Sequence, residues 1–152
     1  MIGYVCKYTP VEVFEAMGVE IRRIQPEVTN FNQADTLMHP NICSFTKSVL
    51  EDVLAGDYEG VVLTTCCDSI RRLYDVLKQQ CPDKFLYLLD VPRKVNDFST
   101  DMYRENILDM VHAYEAFSGK TFDEIVLKQL LERREAGQNL RTAPKNKASV
   151  HI

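Results

Sequence analysis

Gly60-Val61-Val62-Leu63-Thr64-Thr65-Cys66-Cys67-Asp68 is the stretch on which the fold turns. Its opening residues form a short apolar, β-branched run without an alternating polar face, the pattern of a strand covered on both sides in a parallel sheet. Cys66 and Cys67 stand at its carboxyl end. Asp68 is a candidate helix cap, and Ile70, Leu73, Tyr74 and Leu77 follow at helical spacing, with Arg71, Arg72, Asp75 and Lys78 turned to water. A second apolar run, Phe85 to Leu89, completes a strand-helix-strand unit. Parallel strands need crossover connections of this length, and the crossover helices cover the faces of the sheet. The expected fold is therefore α/β, a small parallel sheet flanked by helices.

Upstream of that unit, Ser44 opens an amphipathic helix through Phe45, Val49, Leu50, Val53 and Leu54, closed by Gly56. Val19 to Ile24 reads as a short strand, and Arg22-Arg23 place it near a sheet edge. Thr9-Pro10-Val11-Glu12 has the form of a capping box with proline at the first helical position, and Gly18 is a natural stop. Between these elements, Gln25 to Cys43 carries two prolines and three asparagines without sustained periodicity. A connection of that length inside a compact domain is often functional.

Downstream, Ser99 to Ser118 forms a longer helix with Tyr103, Ile107, Met110, Val111, Tyr114 and Phe117 inward and Gly119 at its end. Thr121-Phe122-Asp123-Glu124 repeats the capping-box signature and opens a last helix to about Ala136. One domain over residues 1–136 is expected, with 137–152 as a tail or the start of a linker.

The chain has 152 residues, of which 45% are hydrophobic, enough for a single buried core. Its formal net charge of −4 gives no footprint suited to a polyanion, so nucleic acid is not an expected partner. No segment approaches the roughly 18 apolar residues that span a bilayer, and the start lacks a basic stretch followed by an apolar run. A soluble, cytoplasmic protein with no membrane partner is expected. The five cysteines, Cys6, Cys43, Cys66, Cys67 and Cys81, are an odd number. With two of them adjacent, they do not resemble a secreted disulfide framework. Reduced thiols are expected, with metal ligation open.

In an open parallel sheet, ligands bind beyond the carboxyl ends of the strands, where loops converge and helix amino termini point inward. Cys66, Cys67 and Asp68 lie at such an end, and Cys43 precedes the helix that leads into the same strand. Thiolates suit soft metals and iron-sulfur clusters, and helix amino termini favour the anionic form. The alternative also stands, since free cysteine is often a small buried hydrophobe and Cys43 and Cys67 form no CxxC pair. Cys81 and Cys66 are read in that second way. Cys81 lies at the end of an amphipathic helix, and alternation along the strand turns Cys66 away from Cys67.

Four motifs in order resemble one family. They are Gly3-Tyr4-Val5-Cys6-Lys7-Tyr8-Thr9-Pro10-Val11-Glu12 with Ala16-Met17-Gly18, His39-Pro40-Asn41-Ile42-Cys43-Ser44-Phe45, Thr65-Cys66-Cys67-Asp68-Ser69-Ile70-Arg71-Arg72-Leu73-Tyr74, and Leu89-Asp90-Val91-Pro92-Arg93-Lys94. They are similar to successive motifs of the 2-hydroxyacyl-CoA dehydratase and benzoyl-CoA reductase small-subunit family, and the likeness covers residues 1 to about 136. The resemblance implies a Rossmann-like half of a two-domain subunit that holds a 4Fe-4S cluster through three cysteines. Cys43 and Cys67 match two of these ligands. The third comes in the family from the second domain, which this sequence does not contain, and Cys6 in the opening motif is a candidate substitute. Glu12, His39 and Ser44 are the candidate substrate contacts, Glu12 as an acid-base group and His39 as a donor to a ligand or a substrate carbonyl. A capping role for Glu12 and solvent exposure for His39 remain the simpler alternatives.

The implied function is the iron-sulfur component of a 2-hydroxyacyl-CoA dehydratase system, in which a low-potential electron drives radical loss of water from a CoA thioester. The implied partners are a second subunit or carboxyl-terminal domain, the acyl-CoA substrate, and an ATP-hydrolysing activator. No phosphate-cradling glycine loop occurs here, so ATP would be bound by that activator. The rival reading is a truncated, non-catalytic relative that binds a partner or CoA without a cluster.

Overall fold

The structure is a computed structural model that describes residues 1–27 and 30–142. Among the described residues ten elements follow one another: β1 (Ile2–Tyr4), α1 (Val11–Ala16), β2 (Ile21–Arg23), α2 (Asn32–Leu37), α3 (Ser44–Ala55), β3 (Gly60–Thr64), α4 (Asp68–Gln80), β4 (Phe85–Leu89), α5 (Asp97–Ser118) and α6 (Glu124–Thr142). The four strands form one parallel sheet in the order β2-β1-β3-β4, so the α/β fold with a small parallel sheet is present. Among the described residues no helix is long and apolar enough to cross a membrane.

Both faces of the sheet are covered, which is why β3 is buried at every position. On one face Val61 and Leu63 pack with Val49, Leu50 and Val53 of α3 and Leu73 and Leu77 of α4. Val62, pointing the other way, packs with Ile2 of β1, Phe14 of α1, Phe85 and Leu89 of β4, and Met110 and Tyr114 of α5. The Tyr114 ring meets Phe14 and Phe85 edge-on, with centroids 5.3 and 5.0 Å apart.

Strand β1 is an element that periodicity does not reveal. It is short and contains Gly3, yet it is central, pairing β2 on one side and β3 on the other. A Cβ at Gly3 would stand 2.7 Å from Ile24 Cδ1, the movable end of a side chain that would have to shift. Gly60 is more confined: a Cβ would lie 2.4 Å from the Phe85 carbonyl oxygen of the neighbouring strand.

Several local expectations are corrected. The long connection before Cys43 contains α2, whose start is capped from a distance: Glu51 Oε1 on α3 accepts the backbone N–H groups of Gln33 and Ala34 at 2.7 and 2.8 Å. The capping box at Thr9 is not formed. The Thr9 hydroxyl is buried without a hydrogen-bond partner, and the Glu12 carboxylate pairs instead with Arg134 of α6 at 2.7 Å. A guanidinium offers that carboxylate a charge-assisted bond, which outcompetes a reach back to the neutral cap amide. Asp68 does not cap α4 either; it is the first helical residue, and Cys67 occupies the cap position.

Helix α5 begins at Asp97, where Asn96 Oδ1 accepts the Ser99 N–H, and ends as expected at Gly119 with φ of 73°. At α6 the Ile125 N–H donates to Asp123 rather than to Thr121. Phe45 and Phe117, expected inward, are 49% and 43% exposed. Helix α6 continues past Ala136 to Thr142, and residues 143–152 of the expected tail lie outside the described residues.

Candidate functional site

The chain leaves β1 in one direction to make β2 and returns on the other side of β1 to make β3. The loops after β1 and β3 therefore diverge, which opens a crevice beyond their carboxyl ends, the usual ligand position in such sheets. Three loops border it: the one after β1, with Cys6 and Tyr8, the turn at Thr65 and Cys66, and the stretch from Val91 to Val95 after β4.

Cys43 and Cys67 each occupy the residue before a helix, Cys43 at α3 and Cys67 at α4, and both are exposed. Each thiol thus stands at the positive end of a helix dipole. The Cys43 sulfur lies 3.1 Å from Thr46 Oγ1. The Cys43 thiol is held below the usual cysteine range, chiefly by the Thr46 hydroxyl, against the opposing effect of burial; the Thr46 and Phe45 amides and the Ser69 hydroxyl act in the same direction as Thr46. Because α3 leads into β3 and α4 leaves it, both helices start at the carboxyl end of the parallel sheet, with Ser69 in the first turn of α4.

Cys66 departs from its expected role. The strand ends at Thr64 and the backbone turns at Thr65 and Cys66, so alternation along the strand does not apply to it. It is exposed, and it lines a cavity of about 510 Å³ together with Cys6. Burial pushes the Cys66 thiol up, eased by the Thr64 hydroxyl and reinforced by the charges of Cys6 and Cys67. Cys81 is buried, as a small hydrophobe would be.

The far wall of this cavity is Tyr8, Val91, Pro92, Val95 and Tyr103. The Tyr103 hydroxyl donates to the Tyr8 carbonyl oxygen at 2.8 Å, which joins α5 to the loop after β1. Burial raises the Tyr103 phenol, with Cys6 and Glu12 adding to it. The base is braced by Thr65: its hydroxyl donates to Asp90 Oδ1 at 2.7 Å and accepts the Val91 N–H at 3.2 Å. Helical period alone assigns Tyr103 to the core, and it assigns nothing to Tyr8, Thr65 or Arg93. The signal that Tyr8 and Arg93 carry in the sequence is their place in the first and last of the four motifs, each shortly after a strand's carboxyl end.

The remaining candidates do not gather in this cavity. Ser44 is exposed at the first turn of α3, beside Cys43. Glu12 is engaged with Arg134. His39 lines a separate depression with Arg72 and Asp75 of α4, and its Nδ1 accepts the Asn41 N–H at 3.2 Å. Among the described residues no three His, Cys, Asp or Glu side chains converge to hold a metal ion. The donor chemistry fits an iron-sulfur group in part: Cys43 and Cys67 supply two soft donors at helix amino termini, and a complete ligand set is not assembled.

A family model described as 2-hydroxyglutaryl-CoA dehydratase, D-component, matches residues 6–146. The (R)-phenyllactyl-CoA dehydratase beta subunit of Clostridium sporogenes is 27% identical over 139 residues, which cover 86% of this chain and 36% of that protein. A subunit of the benzoyl-CoA reductase of Thauera aromatica is 25% identical over 134 residues, covering 84% of this chain and 35% of that protein. The chain spans about a third of the length of these curated relatives, and both are named as subunits.

Proposed function

The chain belongs to the 2-hydroxyglutaryl-CoA dehydratase, D-component family, and from that premise we propose that it is the thiol-bearing part of a 2-hydroxyacyl-CoA dehydratase-type component. The observation that carries this reading is the placement of Cys43 and Cys67 at the amino termini of two helices that start at one end of the sheet. In that role the two cysteines hold iron as thiolates, and further ligands come from Cys6 or from a partner polypeptide. The bound cluster supplies electron transfer at low potential. The chain's own residues do the rest. Thr46 and Ser69 keep the Cys43 sulfur ready for ligation, and the Thr65–Asp90 brace fixes the loop that carries Cys67. The thioester substrate occupies the neighbouring crevice. A second subunit completes the system, in keeping with the subunit names of the relatives, and an ATP-hydrolysing activator delivers the electron.

The test is anaerobic reconstitution with iron and sulfide, read by iron content and by electron paramagnetic resonance. Iron should bind weakly, because among the described residues no three His, Cys, Asp or Glu side chains converge. Cys43→Ser and Cys67→Ser should each abolish it, while Cys81→Ser should not. Iron retained unchanged in the Cys43→Ser, Cys67→Ser double variant refutes the ligand assignment. A chain that takes up no iron yet binds CoA supports the rival reading, a binding module without a cluster.

A further inference from the structure

We infer that the cavity beside Cys6 and Cys66 is an acyl subsite selective for a bulky apolar acyl group, with the phosphates of the thiol carrier held at its basic rim. This rests on the CoA-thioester reading above and adds to it the location and the preference. Neither Glu12, His39 nor Ser44 lines the cavity.

Four observations support the inference. The first is size. An apolar cavity of about 150 Å³ holds a benzene ring, and this one, at about 510 Å³, has space for an aromatic or branched acyl group plus the thioester and part of the carrier arm. The adenine nucleotide must then lie outside, along the surface. The second is lining. Tyr8, Val91, Pro92, Val95 and Tyr103 present apolar atoms, although 59% of Tyr8 and 98% of Val95 remain exposed. Side chains this apolar and this exposed around a concavity are what a ligand pocket offers.

The third is rigidity. Tyr103 is tied to the Tyr8 backbone, the Tyr8 ring has Lys7 Nζ 5.0 Å from its centroid, and the floor is braced through Thr65. A wall fixed before binding discriminates shape without first losing side-chain freedom. The fourth is charge. Lys7, Arg93 and Lys94 lie in the loops at this mouth, and none is in an ion pair among the described residues. Unpaired cations beside an apolar pocket match a ligand with an apolar head and a phosphorylated tail.

The experiment is calorimetric titration of the full chain with CoA, acetyl-CoA and 3-phenylpropionyl-CoA. The phenylpropionyl ester should bind at least tenfold tighter than the acetyl ester. Tyr8→Ala and Val95→Ser shorten exposed side chains without adding a charge beside Arg93 and Lys94, and they should erase the preference for the phenylpropionyl ester over the acetyl ester. Arg93→Gln with Lys94→Gln should weaken all three ligands by a common factor and leave the preference intact. Equal affinity for the two esters in the wild type, or a preference that survives both wall variants, overturns the acyl subsite while the CoA reading stands. Absence of binding by all three ligands overturns both.

Discussion

Removing the Glu51 carboxylate should unfasten the segment that delivers Cys43. Glu51 is 9% exposed, and its Oε1 accepts the N–H groups of Gln33 and Ala34, the second and third residues of α2. Nothing nearer closes that helix start, because its cap residue, Phe31, makes no side-chain cap bond. A hydrogen bond to a charged acceptor contributes about 1.5–3 kcal/mol, and leaving a buried donor unpaired costs about 1–3 kcal/mol. The Gln33 amide lies at an exposed residue and can turn to water, whereas Ala34 is fully buried. Glu51→Ala should therefore cost about 2–4 kcal/mol, which lowers Tm by roughly 5–15 °C in a protein of this size. Glu51→Gln keeps a neutral acceptor in place and should cost about 1 kcal/mol. Urea unfolding followed by circular dichroism measures both. Because Ala34 and Met38 anchor this segment in the core, alkylation of Cys43, resolved by peptide mass spectrometry, should also accelerate in Glu51→Ala. The reasoning fails if Glu51→Ala changes stability by less than about 0.5 kcal/mol, the usual size of an inert surface change, or if glutamine is as damaging as alanine.

Three further outcomes can be checked. Gly60→Ala drives a methyl group into the Phe85 backbone and should destabilise by about 3 kcal/mol or more or prevent folding, as thermal melts would show, whereas alanine at Gly119 meets open space and should cost only about 1 kcal/mol from its left-handed φ. Burial, reinforced by Asp52, raises the Tyr58 phenol to about 12. The neutral phenol is thus favoured in the folded state, so its contribution is complete below pH 10 and is lost as pH rises through about 12. Absorbance titration should find several late-ionising tyrosines, since burial also raises Tyr87, Tyr103 and Tyr114, and their number should fall by one in Tyr58→Phe. Arg134→Ala breaks the pairs with Glu12 and Glu15, which are partly exposed, so global stability should fall by less than about 1 kcal/mol while amide exchange in α6 quickens; unchanged exchange would exclude Arg134 as the tether of α6.

The legible parts of the fold are those where one physical cause acts alone. Strands β3 and β4 match the apolar runs at Gly60 and Phe85 because burial on both faces leaves no room for polar residues. The helix face of Leu73 and Leu77 and the stop at Gly119 follow from period and from backbone freedom. Strand β1 stays hidden because three residues, one of them glycine, are too short a run to show a period. Helix α2 stays hidden because its cap lies on α3. Remote competition also misleads the reading of Glu12, since Arg134 lies 122 residues away. At the sheet's carboxyl end, the positions of Cys43 and Cys67 just before α3 and α4 are legible from the apolar periods that follow them. Cys66 is not, because its orientation is set by a turn that starts one residue sooner than the apolar run suggests.

The sheet also makes the two halves of the crevice independently tunable. Helices α3 and α4, which present Cys43 and Cys67, root in the cluster on one face, while α5, which carries Tyr103, roots in the cluster on the other. Substitutions at Leu50 or Leu73 share no packing partner with those at Met110 or Phe14, and distant changes of this kind add to within about 0.3–0.5 kcal/mol. A lineage could therefore reshape the wall through the α5 side, altering what the cavity accepts, and leave the thiol end undisturbed.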